Sequence, residues 1–110
     1  MRELKFRIWD STEKEMLFDA CPCDANSPHY PDWTWMQFTG LLDKQGVEIY
    51  EGDIVEFDPV YEYTPLISSV IYDVETASFE LERGPYLTDA KDHATVRGNI
   101  YEHKHLLNET

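Results

Sequence analysis

Basic side chains are scarce in this chain of 110 residues: nine lysines and arginines stand against 22 aspartates and glutamates, a formal net charge of −13. A surface of that sign repels phosphate at close range, so direct binding of nucleic acid is disfavoured. The acids are spread through residues 36–93 rather than gathered in a tail, which leaves basic partners as the class that charge permits. Cysteine is nearly absent as well. Cys21 and Cys23 flank a single proline, a poor geometry for pairing with each other, and two thiols make no disulfide framework. No apolar run approaches the ~20 residues of a membrane-spanning helix, and the opening "MRELKFRIWD" lacks the apolar centre of a signal peptide. The expectation is a cytoplasmic protein with no membrane partner.

Catalytic and cofactor signatures are missing too. There is no glycine-flanked serine, no phosphate-cradling glycine loop and no basic stripe interleaved with aromatics. Carboxylates are so abundant that chance proximity is expected, and no acid/base pair stands out. Neither an enzyme nor a cofactor is therefore expected. Metal is not expected either, although two small clusters hold ligand-type side chains. Cys21, Cys23 and His29 are soft ligands in one loop, but the one-residue cysteine gap is shorter than zinc sites use, and no second cysteine pair exists. His103 and His105 would share a face in an extended segment, yet Lys104 lies between them and carboxylates are remote.

Aromatic residues, by contrast, are plentiful. Three Trp, seven Tyr and five Phe can supply most of one modest core. "LKFRIW" alternates as a half-buried strand does, with Leu4, Phe6 and Ile8 on one face and Lys5, Arg7 and Trp9 on the other. "MLFDA" can pair back on it across a polar turn. Residues 21–33 hold three prolines and read as an irregular loop. "TWMQFTG" is a strand closed by Gly40, and "LDKQG" is a turn ending at Gly46. "VEIY" and "DIVEF" flank Gly52, where positive φ lets two strand pieces bend apart, and the adjoining Asp53 is placed to bond turn amides. "DPVYEYTPL" is a second proline-bearing loop. "ISSVIYDVETASFELERG" is a hairpin with Val70 and Tyr72 opposite Phe79 and Leu81. A last strand, "ATVRGNIY", is interrupted by Gly98, and a short helical turn would pack Leu106 and Leu107. Helical periodicity is nowhere sustained over three turns. The fold class expected is mainly β: an N-terminal hairpin region with its Pro-rich loop over residues 1–38, then a small barrel-type region over 39–110, together one compact unit.

Three strings, "MRELKFRIWD", "MQFTGLLDKQGVEIYEGDIVEF" and "GNIYEHKHLL", in that order, resemble the YopX family of phages and prophages. The resemblance implies a small SH3-like barrel in the C-terminal part and a protein working in the bacterial cytoplasm. It implies no activity and no catalytic residues. The "CPC" loop, the 58–66 loop and the His103-Lys104-His105 ending depart from the family pattern. Two classes of function fit these residues. One is a non-catalytic phage accessory protein that binds a protein partner, with self-association through strand edges and, more sharply, acidic mimicry of DNA among its forms. The other is a small-ligand binder or enzyme with a pocket near Trp35, Tyr50 and Asp53.

Overall fold

The computed structural model describes residues 4–20, 33–58, 66–82, 87 and 90–108. Cys21, Cys23 and His29 lie outside the described residues. The architecture is two four-stranded antiparallel sheets. The first contains β1 (Phe6–Asp10), β2 (Glu15–Ala20), β3 (Trp33–Leu42) and β4 (Glu48–Tyr50), in the order β2-β1-β3-β4. The second contains β5 (Asp53–Phe57), β6 (Leu66–Asp73), β7 (Ser78–Leu81) and β8 (Ala94–Asn99), in the order β7-β6-β5-β8. A single helical turn, α1 (Ala90–His93), precedes β8, and a 3-10 turn follows it at Lys104–Asn108. The expected mainly β class is thus the observed one: an N-terminal β-hairpin leads into an SH3-like half-barrel. No helix among the described residues is long and apolar enough to cross a membrane.

The core cluster draws on both sheets. Ile49 from β4 packs with Val55 and Phe57 from β5, Val70 from β6, Leu81 from β7 and Ala94 from β8, and Leu41 of β3 packs against them. Each fully buried Ile or Val contributes roughly 1.5–3 kcal/mol relative to exposure. The long strand β3 joins the two halves of the first sheet. Its first part pairs β1 from Trp33 to Gln37, and its second part pairs β4 from Phe38 to Leu42.

Two departures from the sequence reading have physical causes. Gly40 does not close β3. The strand runs through it to Leu42, with Gly40 at φ +88° on the irregular step between Phe38 and Leu42. Thr39 bridges that step: its Oγ1 donates to the Ile49 carbonyl at 2.7 Å and accepts from the Leu41 amide at 3.1 Å. Strand β1 is also not half-buried. Arg7, Ile8 and Trp9 are all buried, because the face carrying Arg7 and Trp9 is covered in its turn. Trp9 stacks on Tyr101 at 5.5 Å between ring centroids, and the Arg7 guanidinium carbon lies 4.8 Å from the Tyr50 ring centre.

The turn at 43–47 is tied down more firmly than its residue types required. Asp43 is buried, and its carboxylate accepts from the amides of Gln45, Val47 and, across the sheet, Val96 at 2.8–2.9 Å. The same residue therefore forms the turn and fastens it to β8.

Candidate functional site

Strand β4 ends at Tyr50, β5 begins at Asp53, and the two residues between them make the crossing from one sheet to the other. Glu51 donates its amide to Gln37 O and Gly52 donates to Val70 O, while Gly52 O accepts from Ile100, all at 2.9 Å. Gly52 needs to be glycine for two reasons. Its φ is +87°, and a Cβ there would lie 2.9 Å from Met36 Sδ. That tight crossing places the Asp53 side chain against β1.

There it meets Arg7. Asp53 Oδ1 lies 2.8 Å from Arg7 Nη2, and Oδ2 accepts the Tyr50 amide at 2.7 Å. Both residues are buried, at 5% exposure for Arg7 and 2% for Asp53. Burial pushes the Asp53 carboxyl above its ordinary value, opposed by the Arg7 charge and the Tyr50 amide. Arg7 Nη2 also donates to Glu51 O at 3.2 Å and faces Met36 Sδ at 3.6 Å. Because Asp53 divides its oxygens between Arg7 and Tyr50, the side fork of the guanidinium is filled on one prong. The buried Nε is left with no hydrogen-bond partner.

Above this pair lies an open cleft of about 280 Å³. Arg7, Tyr50 and Asp53 line its floor, and Phe18, Val47 and Asn99 are among its walls. Phe18 meets Tyr50 edge-on at 6.2 Å, with 59% of its surface exposed. Glu48 lines the cleft too and is ion-paired to Lys5. Among the described residues the lining includes no serine, threonine, cysteine or histidine; its ionisable groups are Arg7, Glu48, Tyr50 and Asp53. The buried carboxylate has both oxygens engaged. This arrangement holds a shape and presents polar edges.

The residues singled out in the sequence are thus partly gathered. Tyr50 and Asp53 share the site. Trp35 does not: it sits one position from Met36 along β3, on the opposite face, with Phe6 edge-on at 6.0 Å. His103 is engaged locally, its Nδ1 accepting the Asn99 amide at 3.2 Å, and its ring centre is 6.4 Å from that of His105. Among the described residues no group of three His, Cys, Asp or Glu is placed to hold a metal ion. Gly98 abuts the His103 ring, which occupies the space a Cβ would need. Gly46, at φ +83°, completes the 43–47 turn. Sequence reasoning missed Arg7, Asn99 and Phe18. Arg7 alone carried a signal, a long cation on the strand face opposite Ile8, and the pattern favoured solvent for it.

Comparison with known proteins agrees with the fold. A family model described as YopX protein matches residues 18–108. The crystal structure of protein EF1440 from Enterococcus faecalis superposes with a TM-score of 0.74 at 27% identity, covering 97% of this chain and 99% of that one. No curated protein matches.

Proposed function

The chain belongs to the YopX family, and from that premise we propose a non-catalytic phage or prophage accessory protein that binds a basic, extended protein segment in the cytoplasm of a bacterial host. The observation that carries this reading is the β6–β7 hairpin. Strand β7 is the outer strand of its sheet, hydrogen-bonded to β6 alone among the described strands. Sheet edges of this kind accept an added strand through backbone hydrogen bonds. The hairpin reaches past the core, so Ile71, Tyr72 and Val74 are 38%, 44% and 81% exposed. Residues 66–82 include Asp73, Glu75, Glu80 and Glu82 and no lysine or arginine. An alternating basic and apolar strand fits that edge in both charge and side-chain character. The same charge opposes pairing of two β7 edges with each other, so self-association through this edge is disfavoured.

The test is fluorescence anisotropy with a labelled peptide of alternating lysine and valine. Binding should be saturable and should weaken several-fold between about 50 and 200 mM salt. A Glu75→Lys/Glu80→Lys double variant should reduce it further. Undiminished binding by that variant would overturn the reading. Competition by duplex DNA for a basic partner already bound would replace it with the acidic DNA-mimic form.

A further inference from the structure

The cleft above Arg7 and Asp53 has a chemistry of its own, independent of the hairpin. Asn99 stands at its wall, 8% exposed. Its side-chain oxygen accepts the amides of Tyr101 at 3.0 Å and Glu102 at 2.9 Å, which fixes the orientation of the amide group. The Nδ2 group therefore points away from that turn, and it has no partner among the described residues. Arg7 is similar. Its contacts to Asp53, Glu51 and Met36 all leave from Nη2. Among the described residues Nε has no partner but is shut away from solvent, which leaves Nη1, with no partner among them either, as the donor a ligand can approach.

Two unused donors in one cleft call for an acceptor. The charges argue against an anion. Arg7 is compensated by Asp53 and Glu48 by Lys5, and the chain as a whole stands at −13. A cation would face the Arg7 guanidinium. The apolar part of the wall is Phe18, Val47 and the Tyr50 ring, with Phe18 and Val47 59% and 46% exposed. Exposed apolar surface beside unpaired donors is what a small-molecule site offers before it is filled. The volume suits one ring with a short substituent. Glu48, at the same wall, can accept an N–H from that substituent.

From this we propose that the cleft is a binding site for a small, neutral, flat molecule carrying a carboxamide. Its ring lies against Phe18 and Val47, its carbonyl accepts from Arg7 and Asn99, and its N–H group donates to Glu48.

The probe is benzamide, titrated into the full chain and followed by amide NMR shifts, with benzoate and benzylamine alongside. Benzamide should give saturable shifts at Tyr50, Gly98 and Asn99, and the two charged analogues should bind more weakly. Asn99→Asp keeps the oxygen that holds the 99–102 turn and replaces the free donor with an acceptor, so it should weaken benzamide by about tenfold or more. Val47→Trp fills the cleft from an exposed position and should abolish the shifts while leaving the spectrum folded. Absence of saturable shifts, equal binding of benzoate or benzylamine, or full binding by folded Val47→Trp would each overturn the assignment. Because the hairpin takes no part, the lysine–valine peptide should bind Val47→Trp normally, which separates failure here from failure of the protein-binding reading.

Discussion

The junction around Arg7 and Asp53 and the hairpin of β6 and β7 are built from the same residue classes, acids and aromatics, and put them to opposite uses. At the junction Asp53 is 2% exposed, so its charge must be answered atom by atom, by Arg7 Nη2 and the Tyr50 amide. In the hairpin, water answers the charge. Asp73 caps the amide of Glu75 at 2.9 Å, and Glu80 accepts from Thr76 and Ser78, but none of the four acids there has a cationic partner in the hairpin. The aromatic pairs follow the same division. Tyr50, 3% exposed, is flanked by Phe38 at 5.6 Å and covered by Arg7. The Tyr72–Phe79 pair at 5.1 Å leaves Tyr72 44% exposed. Burial, rather than residue type, decides whether an acid here is structural or available for contact.

The largest effect that this contrast forecasts comes from removing the answering charge. Arg7→Met should destabilise the fold by about 3–5 kcal/mol at pH 7, since it leaves a buried carboxylate with one amide for company. The pH dependence has a definite sign. The folded-state value of Asp53 is already raised above its ordinary 3.8 by burial, and Arg7 is the main force opposing that rise. Without Arg7 it rises further. A raised acid binds its proton more tightly in the folded state, so stability grows as pH falls through the folded value and is lost again as pH rises through it. The urea-denaturation gap between wild type and Arg7→Met should therefore be smaller at pH 5 than at pH 7. A gap that widens at pH 5 would mean that Asp53 is not the group left exposed to the loss.

A smaller effect separates the crossing from the strand that leads into it. Gly52 and Gly40 both have φ near +88°, yet a Cβ at Gly52 meets Met36 Sδ at 2.9 Å while one at Gly40 meets nothing within 4 Å. Gly40→Ala should cost roughly 1 kcal/mol for backbone strain alone. Gly52→Ala adds displacement of Met36, for a total of roughly 2–3 kcal/mol. Met36→Ala in the Gly52→Ala background should narrow the difference between the two glycines, as read from urea midpoints. Met36 also touches Arg7, so this double variant links the crossing to the ion pair.

The sequence made local structure legible and left long-range partners hidden. The alternation of "LKFRIW", the residue types of "LDKQG" and the two apolar runs around "ETAS" each encode a strand or a turn within a few positions, and each is found where its pattern places it. Gly52 was recognisable as a bend for the same reason. What periodicity does not encode is which distant group covers a strand's second face. Arg7 and Trp9 looked solvent-facing because alternation assumes one covered side, and here Tyr50 and Tyr101 cover the other. With 22 acids to choose from, nothing in the chain marked Asp53 as the partner of Arg7. Asn99 had no signal at all: its significance lies in an amide group turned by the 99–102 turn toward a cleft that exists only in three dimensions.

The smallest stability effect belongs to the hairpin, and that is why it tests function most cleanly. Val74 is 81% exposed, so Val74→Ser should shift stability by no more than about 0.5 kcal/mol. If the hairpin is only a solvated excursion of the chain, nothing else should change. If it is the edge on which a basic strand docks, the same substitution removes apolar surface beside the acids and should lower affinity for the lysine–valine peptide several-fold. At Arg7, stability and binding cannot be separated, because that residue holds the fold together and also lines the cleft. In the hairpin they can, and a variant with unchanged urea midpoint and weakened peptide binding would place the contact surface there and not in the core.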